Sequence, residues 1–600
     1  MDARTWHQKE HAAMRMAHAA LESRSRLLGL LRLACVAIVF VTLAGIGLSL
    51  LPPRTAYGTL GAAIAFVVLV VAHARVDRER DRKDAAARFH ERALQRSMDV
   101  KPEGKSATAP VEVDASHPYA ADLDMLGPLS VYEFISFART EPGMRTMREW
   151  LLAAHDPPPV DVVRARQDAA RALANKPELA RSLYVAGAAI GDKPDSAKKF
   201  EAWALANDPA VVPAGYGAIA WVLPVLSVAA LAAGNMRGWS SMATYGPYIV
   251  AVVVSLALRA RIGKVVAAVV ANEGGALAYS EAFESALSSN AEGELLARVR
   301  KDIEAGRDAL KALRAPTLAL ESLQNEVFRL LVAPLAMAEL HAVLALERWR
   351  KKHGASSASW FQAYGSLEAL ASLGLVSHDF PAFAFPELVT DLRFDARGLG
   401  HPLVPSSRRV CNDVTGLDAG RALVVTGSNM SGKSTLLRSI GVATAMAMAG
   451  GPVCADELVL GPLRLVTSMR VSDSLSEGAS RFYAELRRLS LVVEMAAKAP
   501  GVLFLLDEVL YGTNARERLI GSRATLAWLL DHGALGAVST HDLALADLEG
   551  PMAGKARNVH FEEQVTGDTM TFDYKLREGV VKSSNALRLM RQLGLPVGDS

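Results

Sequence analysis

Gly427-Ser428-Asn429-Met430-Ser431-Gly432-Lys433-Ser434-Thr435 is the stretch of this chain whose residue types and spacing speak most plainly of chemistry. The apolar run Val424-Val425-Thr426 leads into it, and Leu436, Leu437, Ile440 and Val442 follow at helical spacing. A strand passing through Gly-x-x-x-x-Gly-Lys-Ser into a helix is a phosphate-binding loop. Gly427 and Gly432 let successive N–H groups turn toward one anion, and the new helix adds its positive dipole end. Lys433 is placed to reach the β- and γ-phosphates of ATP, and the Ser434 hydroxyl to ligate Mg²⁺. Downstream, the apolar run Gly501 to Leu506 ends in Asp507-Glu508, as expected for a buried parallel strand whose carboxyl end opens on a ligand crevice. Asp507 is then expected to hold Mg²⁺ through water and Glu508 to polarise the attacking water. The chemistry is that of a Mg²⁺-dependent ATPase. Ala537-Val538-Ser539-Thr540-His541-Asp542 reads as another short strand ending in a polar cluster, which makes His541 a candidate γ-phosphate sensor. A lone histidine after a strand is more often structural.

The loop also resembles that of the MutS-type mismatch-repair ATPases, in which Asn-Met precedes Gly-Lys-Ser-Thr. The likeness continues through Thr467-Ser468-Met469-Arg470-Val471-Ser472-Asp473-Ser474-Leu475 and Ser480-Arg481-Phe482-Tyr483-Ala484-Glu485. It goes on to Asp507-Glu508 with Gly512-Thr513-Asn514, to Ser539-Thr540-His541, and to Phe572-Asp573-Tyr574-Lys575-Leu576, Gly579 and Lys582-Ser583-Ser584. The resemblance implies composite sites in a homodimer, with Ser480 offered to the partner's γ-phosphate. By composition alone Ser480 is an ordinary helix N-cap. His401-Pro402-Leu403 and Asn412-Asp413 resemble family elements near the nucleotide base. Two departures stand out: the family's Gly-Arg-Gly-Thr is here Val509-Leu510-Tyr511-Gly512-Thr513, and Arg481 stands where repair members carry Thr.

What must position these residues is less ordinary. Six hundred residues allow three or four structural units, and 66 Lys+Arg against 63 Asp+Glu leave no overall basic field to attract nucleic acid. Cys35, Cys411 and Cys454 are far apart and without metal spacing, which fits a reducing, cytosol-facing compartment. Leu33 to Leu51 holds no charge, Pro52-Pro53 break the run, and Tyr57 to Ala74 is apolar apart from His73. Each run is long enough to cross a bilayer as a helix, so the pair reads as a transmembrane hairpin rather than a cleaved signal. Val211 to Ala233 and Gly238 to Leu258 form a second pair, with a buried soluble hairpin as the competing reading. Basic residues flank the outer ends of both pairs, which places those ends in the cytoplasm.

The expected architecture is α-helical transmembrane hairpins plus an all-α lever core, followed by a C-terminal α/β P-loop (ABC-type) ATPase domain. Its boundaries are 1–26 for a cytoplasmic helix, 27–75 for hairpin 1, 76–118 for a charged helix and linker, and 119–210 for the first part of the helical core. Hairpin 2 takes 211–258, the second part of the core 259–386, and the ATPase 387–600. In the core, Thr140, Gly143, Trp150, Leu151 and Arg164-Ala165-Arg166-Gln167 loosely resemble the opening of the MutS-type helical core. Mismatch-reading members have a Phe-x-Glu wedge; Phe89-His90-Glu91 matches in letters but lies on a charged helix. The expected function is a membrane-anchored, ATP-hydrolysing, MutS-like dimer that binds DNA and is linked to mismatch repair or recombination control, multi-pass in an inner or plasma membrane. The alternative is an ATPase switch of the same fold acting on a protein or membrane partner. A transporter is disfavoured, because the spans are few and no Leu-Ser-Gly-Gly signature follows the loop.

Overall fold

The computed structural model describes residues 2–52, 55–97, 114, 116–190, 196–206, 216–288, 292–322, 333–428, 431–469, 481–510, 513–546, 554–566 and 569–581. It begins with a hairpin of two long helices, α1 (Ala3–Gly47) and α2 (Ala56–Ser97). The polar opening and the first apolar run are thus one helix, as are the second apolar run and the charged segment behind it. Five helices follow: α3 (Val131–Ile135), α4 (Glu141–Leu152), α5 (Val160–Ala174), α6 (Pro177–Ile190) and α7 (Ser196–Leu205). A second hairpin, α8 (Tyr216–Arg237) and α9 (Ser241–Leu287), interrupts them, and α9 runs unbroken through the expected boundary at 258. Then come α10 (Glu294–Ser322), α11 (Ala338–His353) and α12 (Ser357–Asp379).

Among the described residues, α1, α2, α8 and α9 are the four helices long and apolar enough to cross a membrane. None of the apolar window of α1 or α2 is buried, against 22% for α8 and 17% for α9. Phe40, Val67, Val68, Val225, Val228 and Val253 face outward. An apolar surface of that extent suits lipid chains better than water, which suggests membrane association for both pairs. Small and hydroxylated residues meet within each hairpin, as is common where apolar helices pack in lipid. The Thr42 and Thr59 hydroxyls lie 2.8 Å apart, and a Cβ on Gly234 would meet Thr244 Oγ1 at 2.2 Å.

The helical core packs around α12, which is buried along most of its length and contributes Phe361, Tyr364, Leu370 and Leu375 to the main helical cluster. A helix apolar on all sides belongs inside a protein. The buried Glu368 of α12 explains the Thr140-x-x-Gly143 turn. Thr140 caps α4 by accepting from Gly143 N–H at 3.3 Å and donates its hydroxyl to Glu368. A Cβ on Gly143 would lie 2.0 Å from the same carboxylate. Burial raises the Glu368 carboxyl to about 7, against the pull of the hydrogen bonds from Thr140 and the Arg139 N–H.

The first hairpin is held to this core by a buried polar knot. His7 Nε2 and His378 Nδ1 lie 3.0 and 2.8 Å from Asp379 Oδ1, and Arg96 pairs with the other oxygen. His7 Nδ1 and His90 Nδ1 are 2.8 Å apart, so one proton serves both rings. Phe89, fully buried beside them against Phe137 and Tyr184, is a core residue and cannot act as a wedge. Burial drives His90 down to about 3, helped by His7 and Arg181. Although burial opposes it, Asp379 is held well below the carboxylate range by Arg96 and by hydrogen bonds from His378 and His7. A histidine with a depressed folded-state pKa contributes stability above its unfolded value of 6.5, and loses it as pH falls toward about 3. Acidification through that window should therefore cost the docked hairpin on the order of 4 kcal/mol at its limit. Trp6 meets the rings of His7, His90 and His378 edge-on at 4.6, 4.9 and 5.4 Å. The expected result is a change in Trp6 fluorescence, isolated by difference against Trp6→Phe, that sets in below pH 6.5 and is absent in His90→Phe.

The carboxy-terminal part is α/β. A four-stranded sheet, in the order β1-β5-β2-β3, is made of β1 (Glu387–Leu388), β2 (Arg393–Leu399), β3 (Asn412–Asp418) and β5 (Glu457–Leu460). The larger sheet has the order β10-β9-β4-β8-β7-β6. Its strands are β4 (Ala422–Thr426), β6 (Arg464–Ser468), β7 (Val502–Asp507), β8 (Leu535–Thr540), β9 (Ala556–Thr566) and β10 (Thr569–Glu578). Neighbours from β9 to β6 are parallel; β10 pairs with β9 antiparallel. α13 (Lys433–Met448), α14 (Arg481–Lys498), α15 (Ala515–Asp531) and the short α16 (Leu543–Ala546) complete the unit. Alternate residues of the central strands serve opposite faces, as the pleat requires. Leu423, Val425, Leu503 and Leu505 pack with α13 and the helical part, whereas Val424, Phe504, Leu506 and Val538 pack with α14 and α15.

Candidate nucleotide site

β4 sits between β8 and β9, and all three run the same way, so the chain after each strand emerges on one rim of the sheet. Thr426 pairs with Thr540, and Asp507 with Ser539. That register alone brings Gly427, Glu508 and His541 to neighbouring positions, at the carboxyl ends where open α/β sheets bind ligands. Gly427 (φ 145°) and Gly432 (φ 112°) take backbone conformations that side chains avoid, and α13 begins at Lys433 directly after the second glycine. Asn429, Met430 and Ser480 lie outside the described residues; α14 starts at Arg481.

Lys433 is 5% exposed, and its Nζ donates to the carbonyls of Gly427 and Ser428, both at 2.8 Å. Burial lowers its pKa, while Glu508, Asp507 and Glu563 act to raise it. Glu563, on β9, belongs to no motif and owes its place near the loop to the pairing of β9 with β4. The hydroxyls of Ser428 and Ser431 are buried in the loop without a protein partner among the described residues. Two orphaned hydroxyls, two left-handed glycines and a buried cation make a cradle that fits a polyphosphate. Ser434 stands partly exposed in the first turn of α13, and Thr435 beside it is exposed.

Asp507 accepts a hydrogen bond from Ser539 Oγ, which fixes the carboxylate at the end of β7. Glu508 follows in the left-handed region (φ 53°), held by its N–H to Ser539 O at 3.2 Å. A non-glycine residue kept there is strained, and such strain gathers at functional sites. Glu508 Oε1 lies 3.4 Å from His541 Nδ1, and a shallow cavity beside them is lined by Val509, Arg518, Thr540 and Asp542. The structure therefore brings Lys433, Asp507, Glu508 and His541 to one rim.

His401, expected near the base, is buried, and burial lowers it to about 4. Asn412 instead binds Tyr574 O and Leu576 N–H at 3.0 and 2.8 Å. It thereby supports Tyr574, an exposed residue at φ 55° within a bulge of β10. The Tyr574 ring lies beside the loop: a side chain on Gly432 would meet its Cδ1 at 3.3 Å.

Comparison with known proteins bears on this part of the chain. Residues 423–598 match the family model described as MutS domain V. A DNA mismatch repair protein MSH3 of Phaeosphaeria nodorum is 34% identical over 239 residues, 38% of this chain and 21% of that protein. A DNA mismatch repair protein MSH3 of Coccidioides immitis is 33% identical over 245 residues, 39% of this chain and 22% of that protein. The chain thus spans about a fifth of the length of these curated relatives. The likeness of residues 423–598 is therefore to a MutS-type, ATPase-like domain V, with low identity to MSH3-like mismatch-repair proteins over part of the chain.

Proposed function

We propose that this protein is a membrane-anchored ATPase of MutS type, in which ATP binding and hydrolysis drive the closing and reopening of a dimer. The observation that carries the reading is the cradle itself: Lys433, the orphaned Ser428 and Ser431 hydroxyls, Asp507, Glu508 and His541 converge on one rim. Gly427 to Thr435 would hold the phosphates of ATP. Ser434 and Asp507 would hold Mg²⁺, whose charge would offset that of the phosphates. Glu508 would accept the proton of the attacking water, with His541 fixing its orientation. Ser480 of a second copy would complete the site. The exposed Tyr483 and Leu486 on α14, just beyond it, support an apolar meeting surface there.

α13 supports the coupling of this chemistry to the rest of the chain. It is buried on nearly every side between the sheet and the helices α4 and α12, so a displacement of the phosphate loop must be taken up by the helical part. The four apolar helices would fix that part to an inner or plasma membrane, with the nucleotide site in the cytoplasm. What the helical part acts on has two readings. In the first it binds DNA, in mismatch repair or recombination control; in the second it acts on a protein or membrane partner. The burial of Phe89 and the interruption of the core by α8 and α9 favour the second. Full-length protein in detergent, assayed for ATP hydrolysis with and without Mg²⁺, tests the ATPase. Duplex, mismatched and branched DNA titrated at several salt concentrations tests the target, because phosphate contacts must weaken as salt rises. Hydrolysis without salt-dependent DNA binding would leave the second reading standing alone.

A further inference from the structure

Asp122 belongs to none of the phosphate motifs, yet its side chain is 1% exposed and bound between the edge of the sheet that carries them and α14. It lies in the stretch 116–126 that joins the first hairpin to the helical core. Its Oδ2 accepts the Thr467 hydroxyl at 2.6 Å and the Met469 N–H at 3.2 Å, and Arg488 of α14 stands 3.9 Å away. Its backbone carbonyl accepts from Arg438 Nε of α13 at 3.2 Å. Around it the contact is reinforced: Thr467 N–H donates to Pro118 O at 3.0 Å, and Arg488 donates to His117 O at 2.9 Å. One residue thus touches the phosphate-loop helix, the edge strand β6 and the helix α14. The register makes the β6 contact consequential, because Thr467 pairs with Leu505 and Ser468 with Leu506, the two residues before Asp507. A buried carboxylate is costly, and an apolar side chain could have filled the space. Only an acceptor can fix the Thr467 hydroxyl of β6 and the Met469 N–H just beyond it while drawing an arginine from α14.

We propose that Asp122 is a positioning residue for the hydrolytic centre. It holds β6, and through it the end of β7, in register with the phosphate-loop helix and α14, so that the segment behind the first hairpin sets turnover without touching nucleotide. The proposal rests on the ATPase reading above and adds its regulation.

The test uses the full chain in detergent and measures kcat, KM, binding of a fluorescent ATP analogue, and thermal stability. The variants are Asp122→Asn, Thr467→Val, which removes the hydroxyl at nearly constant volume, and Thr467→Ser, which keeps it. Expected are a loss of kcat of about 10-fold to 100-fold in Asp122→Asn and Thr467→Val, with KM and analogue binding within about twofold. Thr467→Ser should restore the rate, and the double variant should be no slower than the worse single one, because both break the same contact. Unchanged kcat in Thr467→Val would overturn the proposal. So would a loss that merely tracks the folded fraction, or one that falls on binding instead of turnover. An inactive wild type would instead overturn the ATPase reading beneath it, so the two failures are distinguishable.

Discussion

Lys433→Ala should bring ATP hydrolysis to background and abolish retention of nucleotide by the purified protein. The Lys433 ammonium is 5% exposed, donates to two loop carbonyls, and is the charge that Glu508, Asp507 and Glu563 face. Removing it would take away the cation expected opposite the β- and γ-phosphates and leave the charges of Glu508, Asp507 and Glu563 uncompensated near the incoming anion. Either effect alone is worth about 100-fold in a dry, preorganised site. Turnover and equilibrium binding of a labelled ATP analogue should therefore fall together. Loss of an opposing charge can also loosen the loop, so circular dichroism and the melting temperature are measured beside activity. A well-folded Lys433→Ala protein that hydrolyses ATP near the wild-type rate would place the nucleotide elsewhere.

Glu508→Gln should separate what Lys433→Ala removes together. Glutamine keeps the size of Glu508 and can keep the contact with His541, but it cannot take a proton from water. Hydrolysis should drop by about 100-fold or more while ATP stays bound. If hydrolysis reopens a dimer, the variant should accumulate as the closed form in the presence of Mg²⁺ and ATP, seen as a shift to twice the mass in light scattering of detergent-corrected particles. Equal rates in Glu508→Gln and wild type would remove Glu508 from the chemistry and leave its left-handed backbone as a turn requirement only.

Much of the site could be read from the chain because its signals are local. An apolar strand, two glycines at fixed spacing and a Lys-Ser pair all fall within about a dozen residues, and the strands Ala422–Thr426 and Val502–Asp507 end where those motifs begin. The four apolar runs were equally plain, because hydropathy needs no partner to be recognised. What stayed hidden depends on which distant segments meet. Glu563 and Tyr574 gain their places only because β9 lies against β4 and β10 against β9. The knot of His7, His90, His378 and Asp379 draws on α1, α2 and α12, whose contacting residues lie 83 and 372 positions apart. The Arg164-Ala165-Arg166-Gln167 run drew notice only as a loose likeness, yet it is a seam. Arg164 donates to Leu388 O and Gln167 to Pro386 O, both at 3.2 Å, and Arg166 stacks 4.1 Å over Trp150. Composition pointed to separate segments at 26, 75 and 258, whereas the backbone carries single helices across each of those points.

One of those helices links a candidate membrane segment to the helical core. α9 is 47 residues long, a rod of about 70 Å, with an apolar, largely unburied candidate membrane segment at one end and the other packed through Tyr279 and Phe283. Beyond Pro247, which lies near its outer end, the rod turns a change of tilt into a sideways swing: if the apolar stretch spans a bilayer, leaning it by about 10° would carry the inner end about 7 Å over the roughly 43 Å beyond that stretch. Bilayer thickness sets such leaning. Reconstituted in short-chain and in long-chain phospholipids, the same polypeptide would hold its nucleotide-binding unit at different angles to the membrane plane, and its turnover would become a readout of acyl length.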